Sequence, residues 1–264
     1  MITIKTKEEI EILRQGGKIL ANVIEKIAKE IRVGTTTGQI EDMACDLIKK
    51  AGARPSFKGY KSDLERKEFP TALCISINNQ VVHTPSLPSR RLMAGDIVGI
   101  DLGIEYPFKN GEKGFYTDMA VTIPVGKISA EAKKLIKATK KSLDLAIAEV
   151  KPGNHLSDIG RAVQNHIESH SFSVVRDLVG HGVGYAVHED PQIPNFIVKN
   201  GKFQDAELRP GMVLAIEPMV NLGSPEIKSM PDGFTIETLD GRLSAHFEHT
   251  VAVTDGGCEV LTEL

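Results

Sequence analysis

Apolar residues recur at alternating steps of three and four at Ile10, Leu13, Gly17, Leu20, Ile24, Ile27 and Ile31. That makes one stripe of an amphipathic helix over Thr6–Ile31. Thr6 with Glu9 has the pattern of a capping box, and Gly34 is a stop. A second helix is predicted over Thr37–Ala51, ending at Gly52. The same helix–Gly–helix phrase returns over Ala130–His170. There Val150-Lys151-Pro152-Gly153 echoes Ile31-Arg32-Val33-Gly34, and Ile159 and Ile167 echo Ile40 and Ile48 at a single offset. Between the helical stretches the period changes. Ile97–Ile100 and Met119–Val125 are runs rich in β-branched residues around a charged, Gly-rich middle, which predicts a β-hairpin with a long tip. Phe69–Asn78 is a further strand-like run and leads to His83.

The hairpin carries the first chemistry. Asp101 follows Ile-Val-Gly-Ile, and Asp118 precedes Met-Ala-Val-Thr. An Asp among strand-forming apolar residues is unfavourable, and a buried charge needs a partner or a metal. Two such carboxylates on facing arms repel unless a cation lies between them. The second half repeats the placement: Gly95–Asp101 lines up with Gly211–Glu217, and Thr117–Thr122 with Phe247–Ala252. Two related half-domains, roughly 1–125 and 126–264, would set four carboxylates around a pseudo-two-fold axis, an arrangement suited to two divalent cations. The expected fold is α+β, with helices on one side of an antiparallel sheet. No Pro/Ser linker separates the halves, so one compact domain over 1–264 is expected.

Composition narrows the class. A 264-residue chain with 41% hydrophobic and 25% charged residues is an ordinary globular protein with a sizeable core. A net charge of −3 argues against a nucleic-acid or anionic-membrane partner. Cys45, Cys74 and Cys258 are odd in number and form no CxxC pair, which points to a reducing, cytoplasmic setting. The amino terminus lacks a signal-peptide core, and no stretch is apolar and long enough to span a membrane.

Three further places hold candidate residues. His83 alone is more often a packing histidine than a catalyst. Gly180-His181-Gly182-Val183-Gly184 sets a His among glycines that admit close backbone approach. His188 follows seven residues on, without the helical spacing of a zinc site. Ala245–Thr250 places Glu248 in a strand-forming segment. Each acid alone could be a solvated strand-end charge, and the case rests on their occurring together.

Together, Ile100-Asp101, Thr117-Asp118, Gly180–Gly184, His188-Glu189-Asp190-Pro191, Ala215–Met219 and Ser244–Thr250 resemble, in order, the signature segments of the methionine aminopeptidase family. The likeness extends over nearly the whole chain. It implies the duplicated pita-bread fold and two divalent ions (Co, Mn, Fe or Zn) held by Asp101, Asp118, His181, Glu217 and Glu248. Asp118 and Glu248 would bridge, Asp101 would chelate one ion, and His181 with Glu217 would hold the other. It further implies catalytic roles for His83, His188 and Glu217, and a methionine pocket of Phe69, Cys74 and Phe234. The substrate implied is a peptide or nascent chain beginning with Met before a small residue. A monomer is expected. Transient ribosome association fits an enzyme of nascent chains, although no basic patch argues for it. The short spans from His188 to Glu217 and from Glu217 to Glu248 leave no room for the helical insertion of type II enzymes, so type I is indicated.

There are departures. The hairpin tip is about six residues longer than the family pattern, an even number that keeps both acids on one sheet face. Glu105–Gly114 is expected to project as a mobile loop near the cleft. Thr84 stands where a glycine is common after the histidine, and Val187 where an aromatic is common. Two other readings compete: an Xaa-Pro aminopeptidase or prolidase, relatives that carry an additional amino-terminal domain, and a non-catalytic pita-bread binding protein, which would have lost metal ligands.

Overall fold

The computed structural model describes all residues except 62–66, 110–111 and 200–202. Among the described residues, four helices run over Lys7–Glu30 (α1), Thr37–Lys50 (α2), Ala130–Ala148 (α3) and Leu156–Ser169 (α4). The capping box at Thr6 and Glu9 is present at the start of α1, and Thr36 with Gln39 caps α2 in the same way. Gly153, at φ +86°, turns the chain between α3 and α4, a conformation that costs a glycine little.

The helices pack in pairs on a nine-stranded sheet. Its path runs Arg54–Pro55, Ile97–Tyr106, Phe115–Pro124, Glu248–Thr254, Val213–Ile216, Gly180–Gly182, Glu189–Ile193, and every pairing is antiparallel. The Phe115–Pro124 strand of the first half pairs with Glu248–Thr254 of the second, so the sheet is continuous across the duplication. Leu20, Ile24 and Ile27 of α1 and Ile40 and Ile48 of α2 bury against Val98, Ile100, Leu102 and Ile104. Ile159, Val163 and Ile167 of α4 belong to the cluster holding Leu214, Ile216 and Val251. The antiparallel sheet with helices stacked against it is the expected pita-bread arrangement.

The hairpin differs from expectation in length. Its strands are ten residues each, with Ile97 facing Pro124 and Tyr106 facing Phe115, so Asp101 and Asp118 lie inside strands rather than at their ends. The buried charges did not end the strands because the sheet's other face is so well covered by the helices. The tip does not simply project. Glu105 is a buried strand residue whose carboxylate is bonded by Arg54 and by the Gly114 N–H. The Phe108 N–H donates to Gly52 O at 3.0 Å, and the Phe108 ring lies 4.9 Å from the Arg54 guanidinium. Only the tip's two central residues, 110 and 111, fall outside the described ones. The predicted Phe69–Asn78 strand is shorter as well: Cys74–Ile77 pairs with Val98–Asp101, and the residues before it form a loop.

Candidate metal centre and active site

The sheet register assembles the site. Asp101 faces Ala120 across one pair of strands, and Ala120 faces Glu248 across the next. Asp118 is two residues from Ala120, so it shares that face. The side chains alternating with these, Ile100 and Leu102, point into the α1–α2 core, which puts the acids on the opposite face. Glu217 follows directly on Ile216, which is paired with His249, and His181 is paired with Ala215. All five sequence-predicted residues therefore converge on one region, lining a common cavity of about 70 Å³.

Backbone anchors hold them there. The Thr250 hydroxyl accepts from the Asp118 N–H at 2.9 Å and donates to its carbonyl at 2.8 Å. Asn195 Nδ2 donates to Glu217 O at 3.1 Å. The His181 ring bonds Gly182 O at 2.9 Å through Nδ1. A carbonyl can only accept, so Nδ1 carries the proton and Nε2 keeps a lone pair. That lone pair is 3.5 Å from Glu217 Oε1.

The electrostatics are those of uncompensated anions. No Lys or Arg lines the cavity among the described residues. Burial, then the Asp118 charge, raises the Asp101 carboxyl well above its ordinary range. Burial raises Asp118 to about 7. Burial and the neighbouring carboxylates raise Glu217 and Glu248. Burial lowers His181 to about 4 and His246 to about 3. Side-chain donor atoms of Asp118, His181 and Glu248 that could hold a metal ion lie within 4.8 Å of one another. Four carboxylates and an imidazole that turns its lone pair toward them are all electron-pair donors. Such a donor set fits divalent cations and little else.

One wall is aromatic and soft. Phe57, Tyr60, Phe69 and Cys74 line the cavity beside His83 and His188. The Cys74 thiol is raised by burial and by Asp101, to which it is hydrogen-bonded. Phe234 meets the edge of Phe69 at 5.4 Å but is not itself part of the wall. Val187 and Thr84 are buried and do not line it. His83 has φ +58°, a left-handed backbone that non-glycine residues seldom adopt, and it also lines an adjoining cleft of about 470 Å³. The His188 ring stacks edgewise on His181 at 4.4 Å and is joined through Nδ1 to the Tyr60 hydroxyl at 2.8 Å.

Sequence reasoning missed Phe57, Tyr60 and His246. Phe57 and Tyr60 lie three residues apart in the Phe57-Lys58-Gly59-Tyr60 loop, two aromatics around a Lys-Gly pair, which is a weak signal. His246 lies within Ser244–Thr250, two residues before Glu248, and nothing in its local sequence marks it.

The loop that carries His188 is tied down by a buried ion pair. Lys5 Nζ is 2.8 Å from Glu189 Oε2, with side-chain exposures of 1% and 8%. The Ala186 and Tyr185 N–H groups also donate to Glu189. Burial lowers the Lys5 ammonium even beside its partner, so the pair's net gain is modest while losing one member is costly. Lys5→Met is expected to lower unfolding free energy by about 3 kcal/mol at pH 7, read by urea denaturation. Burial pushes the Glu189 carboxyl up, but the Lys5 and Thr3 hydrogen bonds outweigh it and leave the value lowered. Its contribution is therefore present above the unfolded value near pH ~4.3 and is lost as pH falls through the folded one, so the gap between variant and parent narrows in acid. An equal gap at pH 7 and pH 3.5 would rule this out.

Fold and site together define a metal-dependent peptide hydrolase, and comparison with known proteins agrees. The pattern of metallopeptidase family M24 matches residues 11–255. "Methionine aminopeptidase 1" of Bacillus subtilis (strain 168) is 45% identical over 265 residues, with all of both chains covered. A methionine aminopeptidase structure from Thermotoga maritima superposes with a TM-score of 0.91 at 40% identity, again covering both chains fully. A prolidase from Pyrococcus horikoshii OT3 shares the fold alone: TM-score 0.72 at 22% identity, over 98% of this chain and 63% of that one. The chain belongs to metallopeptidase family M24 and, within it, to the methionine aminopeptidases.

Proposed function

We propose that this chain is an aminopeptidase that releases the initiator methionine from newly made proteins in the cytoplasm when the next residue is small. The observation that carries the reading is the convergence of Asp101, Asp118, His181, Glu217 and Glu248 at one end of a cavity whose other wall is Phe69 and Cys74. These five residues would hold two divalent cations (Co, Mn, Fe or Zn). Bound there, the cations supply Lewis acidity, polarising a peptide carbonyl and acidifying a water.

The chain's own groups do the rest. The Glu217 carboxylate takes a proton from the attacking water and delivers it to the departing amine. With the Tyr60 hydroxyl donating to His188 Nδ1, the Nε2 nitrogen would carry the proton and donate to the oxygen on which charge develops. His83 reaches the amide nitrogen or the backbone beyond it. Phe69 and Cys74 take the thioether, since sulfur against an aromatic ring is favourable, and Phe234 backs Phe69.

The test is hydrolysis of Met-Ala-Ser by metal-stripped protein, with and without Mn or Co. Metal-dependent release of free methionine is expected. Cleavage of an Xaa-Pro peptide in its place would move the assignment to the proline-directed relatives, and silence on both would leave a binding protein.

A further inference from the structure

His246 is 3% exposed and sits on the short Ser244–His246 strand, which pairs with Met219–Asn221 just beyond Glu217. Its backbone is clamped. The Thr122 hydroxyl donates to His246 O at 2.8 Å and accepts from His246 N–H at 2.9 Å, so the strand cannot slide. Its Nε2 is buried and has no hydrogen-bond partner. An orphaned buried nitrogen costs free energy and calls for an explanation. The acceptor it faces is Glu217 Oε2, at 3.6 Å.

The two oxygens of Glu217 thus meet different histidines. Oε1 faces His181 Nε2, a nitrogen left as a lone pair by the bond from Nδ1 to Gly182 O. With Glu217 ionised, as a cation would hold it, two acceptors cannot bond each other, so that side of the carboxylate is left to the cation site. On the other side, Nε2 of His246 can carry a proton, and a shift of a few tenths of an ångström closes the gap to a hydrogen bond.

We infer that His246 is a positioning residue for Glu217: its Nε2–H holds Oε2, so that Oε1 faces the metal centre and the carboxylate cannot rotate out of reach of the reacting water. It touches neither the reacting water nor the peptide. The arrangement resembles the outer hydrogen bonds that orient metal-binding carboxylates in general. The inference rests on the aminopeptidase reading above.

Two variants test it, both compared with the parent by kcat and KM on Met-Ala-Ser with Mn, by Mn binding to metal-stripped protein in a calorimeter, and by thermal melting. His246→Leu removes the donor at similar volume, and it is expected to lower kcat by about 10- to 100-fold with little change in KM and to weaken Mn binding by a similar factor. His246→Gln returns an N–H to the same side and is expected to recover most of both losses. A purely structural histidine would predict the opposite pattern: kcat and Mn affinity unmoved by leucine, or lost equally in leucine and glutamine variants that melt like the parent. Either result overturns the inference. If the leucine variant does not fold, His246→Asn, whose amide is one methylene shorter than glutamine's, takes its place and is expected to lose as leucine does. Should the parent release no methionine at all, the Mn isotherms still decide between the two, so failure of the assigned reaction and failure of this inference are told apart.

Discussion

Replacing Glu217 by glutamine is expected to lower kcat on Met-Ala-Ser by about 10³-fold or more, since loss of a general base alone is worth about 10²–10⁴-fold. The substitution preserves size and one acceptor oxygen. It removes the charge that faces the cation site on the Oε1 side and the basicity that takes a proton. The same change should act on stability in the other direction. Glu217 is held among other carboxylates, and burial with the Asp101 and Asp118 charges lifts its pKa. In metal-stripped protein an amide relieves that repulsion, so the variant should melt higher than the parent at pH 8. Improved stability together with lost activity marks a residue kept for chemistry rather than packing. Steady-state kinetics and melting curves on the same samples check both halves. A variant retaining activity within tenfold of the parent would remove Glu217 from the mechanism.

The sequence made the site legible because its residues come in short local phrases, each with an intelligible cause. Asp101 and Asp118 stood out as charges in strand-forming runs, and the second half repeated their placement at Glu217 and Glu248. The register bears out the parity argument for the long hairpin: Asp101 opposite Ala120, with Asp118 two residues along, keeps both acids on one face. The helices were legible from their stripes and the capping box at Thr6. What was not legible depends on contacts between distant segments. Glu105 reads as part of a charged loop, and only Arg54 and the Gly114 N–H, brought in by folding, make it a strand residue. Asp101 and Asp118 read as strand ends because local propensity penalises a buried acid, while the pairing of ten residues with ten overrides it. Phe57 and Tyr60 join the site across a loop, and His246 reaches Glu217 from a separate small sheet. No spacing in the chain announces such crossings.

Metal-stripped protein should lose stability as pH rises from 6.5 to 8, above the range in which unfolding lets the buried His181 and His246 take up protons, and added Mn should restore it most at the alkaline end. The sign follows from the proton count. Burial raises Asp118 from an ordinary 3.8 to about 7 in the folded chain. Between those values the folded state holds a proton that the unfolded state has released. The stabilisation is therefore complete below the unfolded value and disappears as pH climbs through the folded one. One group shifted in this way changes stability by about 1.4 kcal/mol per pH unit across the window. Asp101, Glu217 and Glu248 are shifted in the same direction and steepen the slope. A divalent cation binds the ionised carboxylates and competes with the protons, so Mn raises the melting temperature more at pH 8 than at pH 5.5. At a free concentration a hundred times its dissociation constant, it adds about 2.7 kcal/mol. Melting curves at pH 5.5, 6.5 and 8, with and without Mn, provide the measurement. If the stripped protein were as stable at pH 8 as at pH 6.5, the four acids would be screened from one another and the argument for a cation between them would fail. If Mn stabilised both equally, the ion would be binding somewhere other than the buried carboxylates.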